Sequence, residues 1–178
     1  MIVFEDESGC SLLPSVRATW APKGKTPVLC HRFNWKRLSM AAALVYEPDA
    51  RNADLVFGLR SGAYNDSSLI EFLTELHDLL SGRKVTLIWD GLPSHRSRTM
   101  TTWIAEQGSW LRVERLPGYA PELNPVEGVW GNLKRKELAN LCPDTVEDME
   151  QTADDGLCRI GSDRELCSAF LRQTPLRL

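Results

Sequence analysis

Three acidic side chains, Asp6, Asp90 and Glu127, are the strongest candidates for chemistry in this sequence. Asp90 directly follows the apolar run 87–89 and precedes a glycine. An ionisable side chain at the end of an apolar strand has to be desolvated, paired or bound to a metal, because an isolated buried charge is very costly. The dipeptide Asp-Gly is also typical of a tight turn, so a turn residue is the alternative interpretation of Asp90.

Asp6 is the middle of three consecutive acids in the segment Phe4-Glu-Asp-Glu-Ser-Gly9. Alternation along a strand places Asp6 on one side and Glu5 and Glu7 on the other. Solvated charges at the edge of a sheet would explain at least two of the three acids. Both a functional site and a solvated edge are therefore open at this point.

Glu127 precedes or begins an amphipathic helix. Asn124 can cap this helix and Pro125 suits its first position, so the Glu127 carboxylate could fold back onto the N–H of the cap. A catalytic acid explains the residue equally well. The periodicity places Val126, Trp130, Leu133 and Leu141 on the core side, and Glu127, Gly131, Lys134 and Arg135 on a face suited to phosphate or to solvent.

Hydrophobic periodicity predicts the elements that must position these acids. Early strands are followed by helix, strand, helix, strand and helix, which implies a mixed sheet with helices on both faces. A right-handed crossover can then bring the strand ends that carry Asp6 and Asp90 side by side. The predicted strands are 2–8, 38–46, 55–59, 84–89 and 111–116, with a hairpin at 19–29. A first helix is predicted to be capped by Ser67 or Ser68. Further helices are predicted at 97–107 and 125–141, and the remainder, 145–171, is predicted to be helical.

Composition limits the class of protein. The 178 residues are 43% hydrophobic and 25% charged with a net charge of -3, which fits one soluble globular domain and excludes disordered and fibrous proteins. The longest apolar run, 40–46, is too short to cross a bilayer, and no secretory signal is visible. Five cysteines without C-x-x-C spacing argue against a disulfide framework or zinc knuckle and favour a reducing cytoplasm.

Charge is unevenly distributed along the chain. No acid lies between Ser8 and Tyr46, whereas the segment 137–165 carries nine acids and two arginines. Such asymmetry can produce one basic face on an acidic protein, although solvated faces without a partner explain it as well.

Four motifs together resemble the catalytic domain of DDE transposases, most closely the bacterial insertion-sequence relatives of the mariner-like superfamily. The resemblance runs from Val3 to Lys136, and its last motif is highly specific. The motifs are Phe4-Glu-Asp-Glu-Ser-Gly9, Thr19-Trp-Ala-Pro-Lys-Gly-Lys-Thr-Pro27, Asp90 followed by His95, and Leu116-Pro-Gly-Tyr-Ala-Pro-Glu-Leu-Asn-Pro-Val-Glu-Gly-Val-Trp130.

The resemblance implies an α/β fold of the ribonuclease H type, a mixed five-stranded sheet flanked by helices in one domain of residues 1–178, with a helical tail from about 145. It assigns a metal-binding triad to Asp6, Asp90 and Glu127, with two Mg²⁺ ions that Mn²⁺ can replace. Gly91 stands where relatives commonly have Asn.

The implied reaction is cleavage of DNA at transposon terminal inverted repeats, followed by transfer of the strand to a TA target. A homodimer is expected to carry out the reaction. Its expected location is the bacterial cytoplasm near the nucleoid, and no membrane partner is expected. Relatives carry helix-turn-helix domains before the catalytic domain. Because this chain begins almost at the first catalytic strand, we expect a separate subunit to supply them, or the gene to be a remnant.

Basic residues and His95 are the candidates for contacts with DNA phosphates. His95 would contact the scissile phosphate, orient a ligand or cap the following helix. Trp20 and Trp35 could stack on splayed bases, although packing in a core or hairpin is the favoured alternative. The candidates are Arg17, Lys23, Lys25, Lys36, Arg37, His95, Arg96, Arg98, Lys134, Arg135 and Lys136.

Two other functions stay open from the sequence. The chain could be a catalytically silent transposase remnant that acts as a DNA-binding or assembly module. It could also be another ribonuclease H-like nuclease, such as a hybrid or junction cutter. The acidic helical tail would either shield the surface or pack on the sheet.

Overall fold

A mixed sheet of five strands forms the centre of the computed structural model, which describes residues 1–48 and 53–176. The strands lie in the order β3-β2-β1-β4-β5. β1 pairs with β2, and β2 with β3, in antiparallel fashion, whereas β1–β4 and β4–β5 are parallel. This confirms the predicted mixed five-stranded sheet. The strands are β1 (Ile2–Ser11), β2 (Arg37–Tyr46), β3 (Ala53–Ser61), β4 (Val85–Trp89) and β5 (Leu111–Arg115).

Helices cover both faces of the sheet because its strands are apolar on both sides. Val3 belongs to the core beneath the first two helices, and Phe4 belongs to the core beneath the last three. Asp6 follows Phe4 by two residues and therefore lies on the side of the last three helices. The helices are α1 (Asp66–Leu79), α2 (Arg98–Glu106), α3 (Val126–Lys136), α4 (Val146–Ser162) and α5 (Arg164–Arg172). In the described part of the chain, no helix combines the length and the apolar character needed to span a bilayer.

Two glycines allow α3 to pack closely against its neighbours. A Cβ atom at Gly128 would lie 2.5 Å from Cδ1 of Phe170 in α5. A Cβ atom at Gly156 of α4 would lie 2.4 Å from Cδ1 of Leu133 in α3. Both approaches are too close for any side chain larger than hydrogen without movement of the neighbour. The position of α3 over the sheet is therefore set by direct contact with α4 and α5.

The predicted hairpin at 19–29 is wrong. Residues 12–36, all of them described, contain no strand beyond the single bridge between Ser15 and Ala139. β1 and β2 pair over their full length, from Ile2 opposite Tyr46 to Ser11 opposite Arg37, so 12–36 only connect them. Since this connection has no sheet to pack on, Trp20 and Trp35 are exposed rather than packed in a core or hairpin.

The helix boundaries differ from the predictions in three places. Asn65, rather than Ser67 or Ser68, caps α1, since its side chain accepts a hydrogen bond from the Ser68 N–H in a capping box. α3 ends at Lys136 instead of 141, and Asn140 beyond it has a left-handed φ of 57°. The tail forms two helices that pack on the sheet, because Asp163 ends α4 and caps α5.

Candidate active site

The structure brings Asp6, Asp90 and Glu127 together along one pocket of about 690 Å³. The three acids come from β1, from the turn after β4 and from the first turn of α3. β1 and β4 are parallel neighbours, as the right-handed crossover predicted, and their pairing stops at Phe4 opposite Ile88. Asp6 therefore lies in the middle of the longer strand β1 but beside the carboxyl end of β4, where Asp90 follows. The pocket is also lined by Gly91, Leu92, Pro93, Arg96, Arg115, Leu116, Pro117, Gly118, Tyr119, Ala120, Pro121 and Asn124.

Asp6 is held by a tryptophan of the opposing helix. Nε1 of Trp130 donates a hydrogen bond of 2.8 Å to Oδ2 of Asp6. The pKa of Asp6 is raised to about 7, mainly by burial and also by the negative charges of Glu127, Glu7 and Asp90, although the Trp130 hydrogen bond lowers it. Trp130 was expected on the core side and is buried there, but the sequence did not predict its bond to the first acid.

Asp90 is both a turn residue and a pocket residue. Its Oδ1 atom accepts a hydrogen bond of 2.9 Å from the Leu92 N–H, which closes an Asx turn after β4. The side chain is 41% exposed, so it also faces the pocket. A Cβ atom at Gly91 would meet nothing within 4 Å, and its φ is not left-handed, so the turn does not require glycine there.

Glu127 does not form the capping box that the sequence allowed. No side-chain cap is found at the start of α3, where Pro125 takes the N-cap position, and Glu127 is exposed at the pocket. Asn124 instead joins this helix to β1. Its Oδ1 accepts from the Val126 N–H at 3.2 Å, and its Nδ2 donates to the Glu5 carbonyl at 3.3 Å.

The other two acids of β1 lie on the opposite face of the sheet, where Glu5 is buried and Glu7 is half-buried, so their interpretation as solvated edge charges is wrong. The Glu5 side chain is 0% exposed, and neither carboxylate oxygen has a hydrogen-bond partner among the described residues. Burial raises the pKa of Glu5 well above its usual value, as do the charges of Glu7, Asp6 and Asp90. Glu7 bonds His95 at 3.1 Å.

His95 is buried beside the pocket instead of facing into it. Both ring nitrogens are engaged, Nδ1 near Asp90 and Nε2 near Glu7. Burial alone would lower the pKa of His95, but the hydrogen bond and charge of Glu7, together with Asp90, raise it overall. This placement favours the orienting role over a direct contact with phosphate.

The basic candidates lie at several places. Arg96 lines the pocket. Arg98 is exposed at the start of α2, and Lys134 donates to Oγ of Ser8 at 2.6 Å. Arg17, Lys23, Lys25, Lys36 and Arg37 are exposed along the connection 12–36 and at the start of β2, and Arg135 and Lys136 are exposed at the end of α3.

The sequence did not single out two residues of the pocket rim. Arg115 ends β5, next to the strand that carries Asp90, and its exposed side chain lines the pocket. Its place near the end of the predicted strand 111–116 was the available signal. Tyr119 is fully exposed and has a left-handed φ of 59°, which is unusual for a bulky residue. No periodicity indicates such a conformation.

The donor set fits divalent cations. Carboxylate oxygens are the hard ligands that Mg²⁺ and Mn²⁺ prefer. Burial and the negative charges of Glu127, Glu7 and Asp90 raise the pKa of Asp6. A cation bound between the three acids would relieve the repulsion among their carboxylates.

The fold and the pocket define a nuclease-like α/β domain, and a family comparison identifies it. The model of the DDE superfamily endonuclease family matches residues 1–150, so the chain belongs to this family. The fold is ribonuclease H-like, as the sequence resemblance implied.

Among solved structures, the Mos1 transposase paired-end complex with left transposon end is similar, with a TM-score of 0.71 and 18% identity over 98% of this chain and 52% of that chain. The catalytic domain of Mos1 mariner transposase has a TM-score of 0.64 and 18% identity over 98% and 76% of the two chains. A simian T-cell lymphotropic virus intasome in complex with PP2A regulatory subunit B56 gamma has a TM-score of 0.57 and 15% identity over 89% and 47%.

At these identities the structural comparisons show a shared fold. This chain spans about half the length of the Mos1 chain in the paired-end complex. A search of curated proteins found no match.

Proposed function

We propose that this chain is the catalytic domain of a transposase, which cleaves DNA at transposon ends and transfers the freed strand to a target. One observation carries the proposal: three acids that are far apart in the sequence line a single pocket at the carboxyl end of β4. Membership of the DDE superfamily endonucleases and the fold shared with Mos1 transposase support it.

The proposed cofactors are two Mg²⁺ ions, or Mn²⁺ in their place, held by Asp6, Asp90 and Glu127. When bound, such a pair supplies Lewis acidity toward phosphate oxygens and lowers the pKa of an attacking water. Solved complexes of Mos1 with Mn and with Mg are similar to this chain and support the choice of metals.

Each of the three carboxylates is oriented by a different part of the fold. Trp130 fixes Asp6 by hydrogen bonding to Oδ2, and the turn to Leu92 fixes Asp90. Asn124 holds the start of α3, and thus Glu127, against β1. A site with its ligands fixed in advance needs little reorganisation when substrate binds.

Two arginines at the rim provide the positive charge that a DNA strand needs near three acids. Arg96 and Arg115 both line the pocket and are exposed. We propose that they bind the phosphates that flank the cleaved bond, with planar guanidinium groups suited to two parallel hydrogen bonds. Contacts of this kind position the backbone and carry no sequence information.

The proposed partners are transposon terminal inverted repeats and a TA target. A homodimer during the reaction is part of the proposal, because two transposon ends have to be joined to one target. A separate helix-turn-helix subunit for the recognition of the repeats also stays a prediction.

Nicking of supercoiled DNA that carries transposon ends tests the proposal. We expect the wild-type chain to nick this DNA only with Mg²⁺ or Mn²⁺, and Asp90→Asn to abolish the nicking. Glu122→Gln is the matched control, because Glu122 is an exposed acid of the loop before α3 but does not line the pocket. Undiminished nicking by Asp90→Asn would reject the assigned triad. Wild-type binding of this DNA without any metal-dependent nicking would favour the silent DNA-binding module.

A further inference from the structure

His95 lies in a fixed and fully enclosed position between the first two acidic motifs. It belongs to a short 3₁₀ turn, Ser94–Arg96, that follows β4. Its ring stacks on the ring of Trp89, the last residue of β4, with centroids 4.0 Å apart and an interplanar angle of 2°. The stack and the burial leave the imidazole one orientation.

The ring lies between two acidic residues. Nδ1 lies 3.1 Å from the backbone oxygen of Asp90 and 3.0 Å from its Oδ1, and Nε2 lies 3.1 Å from Oε1 of Glu7. The ring therefore bridges Glu7 on one side and Asp90 on the other.

This bridge joins β1 to the turn after β4 at a point where the two are no longer paired in the sheet. The parallel pairing of β1 with β4 ends at Phe4 opposite Ile88, before either acid of the pocket is reached. Glu7 is the next residue after Asp6 in β1. A bond from Glu7 through His95 to Asp90 thus fixes the distance between the first two carboxylates where the ladder has stopped.

The bridge lies against one oxygen of the Asp90 carboxylate. The Leu92 N–H donates a hydrogen bond to Oδ1, and Nδ1 of His95 lies 3.0 Å from the same oxygen. Because Oδ1 is engaged there, Oδ2 is the oxygen better suited to bind a cation. Partners that orient a ligating group in this way typically change metal affinity about 10-fold to 100-fold when they are removed.

We infer that His95, shared between Glu7 and Asp90, is a positioning residue that sets the metal affinity of the pocket by fixing Asp90 relative to β1. The inference rests on the proposed function, since it takes Asp6, Asp90 and Glu127 as the metal ligands. It also assigns a role to Glu7, whose carboxylate is the anchor of the bridge in β1.

Mn²⁺ titration of the full chain by calorimetry tests the inference. We expect His95→Asn, which keeps a donor near Asp90 only, and His95→Gln, which keeps one near Glu7 only, to bind Mn²⁺ about 10-fold to 100-fold more weakly than the wild type. His77→Gln is the matched control, because His77 stacks on Trp110 at 3.9 Å but lies away from the pocket, and we expect unchanged affinity. Affinities of folded His95→Asn and His95→Gln within twofold of the wild type would overturn the inference.

Asp90→Asn distinguishes failure of the positioning role of His95 from failure of the proposed metal-binding triad. Loss of Mn²⁺ binding in Asp90→Asn with normal binding in both His95 variants rejects the positioning role and leaves the proposed triad intact. Undiminished binding in Asp90→Asn rejects the triad itself. If Asp90→Asn keeps one tight Mn²⁺ site that His95→Gln removes, the cation lies on the Glu5, Glu7 and His95 cluster, and the positioning role is wrong.

A measurement on the wild-type chain covers the case in which the variants do not fold. The sequence has three histidines, so His31→Gln and His77→Gln assign the His95 signals by elimination. In long-range ¹H–¹⁵N NMR spectra, the ring signals of His95 are expected to shift when Mg²⁺ is added, whereas those of His77 are not. His95 signals unaffected by Mg²⁺ would overturn the inference.

Discussion

Trp130 bonds directly to Asp6: Nε1 of the indole lies 2.8 Å from Oδ2 of the carboxylate, across the interface between α3 and β1. A side chain that contributes to the core therefore also fixes the first acid of the pocket. The stability of the core and the geometry of the site are coupled through this one residue.

Trp130→Phe tests that coupling. The phenyl ring keeps most of the packing but donates no hydrogen bond, so we expect the pKa of Asp6 to rise further and the free energy of unfolding to fall by about 1–3 kcal/mol. Urea unfolding measures the loss of stability. Mn²⁺ titration measures the orientation of Asp6, and we expect a weaker Mn²⁺ affinity in Trp130→Phe. Trp103→Phe, in α2 on the opposite face of the sheet, is the control and should leave Mn²⁺ affinity unchanged. Equal Mn²⁺ affinity in Trp130→Phe and the wild type would show that the bond does not orient Asp6.

The raised pKa of Asp6 predicts how stability depends on pH in the absence of metal. The folded chain binds this proton more tightly than the unfolded chain, whose Asp6 pKa is near 3.8. The folded state therefore holds more protons between about pH 4 and pH 7, and the free energy of unfolding falls as pH rises through this range. A shift from 3.8 to about 7 corresponds to at most about 4 kcal/mol.

Asp6→Asn removes this cost, so the metal-free variant should be more stable than the wild type at pH 8 and less dependent on pH. Asp66→Asn is the control, because Asp66 is a half-buried acid at the surface whose pKa is lowered by hydrogen bonds with Ser97 and the Ser67 N–H. The contribution of Asp66 to the free energy of unfolding changes only at lower pH. The slope of the free energy of unfolding against pH, between pH 5 and pH 8, should therefore be the same in Asp66→Asn and the wild type. A wild-type stability that rises from pH 5 to pH 7 would contradict the prediction.

Gly128 tests whether the contact between α3 and α5 positions Glu127. A methyl group at Gly128 would meet the Phe170 ring at 2.5 Å, so Gly128→Ala should destabilise the chain by about 1–3 kcal/mol and displace the first turn of α3. Nicking activity should fall with stability, and the second substitution Phe170→Leu should restore part of both.

Gly131→Ala is the matched control for Gly128→Ala. A Cβ atom at Gly131 would meet only the flexible guanidinium of Arg135, at 3.3 Å, and alanine favours a helix by roughly 1 kcal/mol over glycine. We expect this variant to be as stable as the wild type or more stable. If both alanine variants lose the same stability, the close contact with Phe170 is not the cause.

Arg115→Ala tests the arginine that the sequence did not single out. Loss of a charged hydrogen bond to a phosphate costs about 1.5–3 kcal/mol, which is roughly 10-fold to 100-fold in affinity for DNA, and the salt dependence should fall by about one ion. Arg112→Ala is the control from the same strand, because Arg112 is exposed but pairs with Glu114 at 2.7 Å. Equal loss of DNA affinity in both variants, measured by fluorescence anisotropy, would indicate a general charge effect instead of a contact at the pocket.

The sheet, four of the helices and the convergence of the three acids were predictable from the sequence, because hydrophobic periodicity and the order of the elements along the chain determine these features. The burial of Glu5 and the partial burial of Glu7 were not predictable, since alternation assigns a face to a residue but not whether another element covers that face. The course of 12–36 was also missed, because Pro and Gly spacing is the same in a hairpin and in a connection without pairing.

The hydrogen bonds that orient the pocket depend on contacts between residues distant in the sequence. Trp130 could be placed on the core side from its period, but its bond to Asp6 depends on the depth at which α3 packs. That depth follows from Gly128 and Gly156, each of which contacts a side chain of another helix. The role of His95 likewise depends on the turn after Asp90 and on its stack with Trp89.

Anomalous diffraction from crystals of the full chain grown with Mn²⁺ tests the central claim most directly. We expect Mn²⁺ within coordination distance of carboxylate oxygens of Asp6 and Asp90, with Glu127 at the same site, and no such signal in crystals of Asp90→Asn. Manganese bound elsewhere on the wild-type chain, with these three carboxylates free of metal, would contradict it.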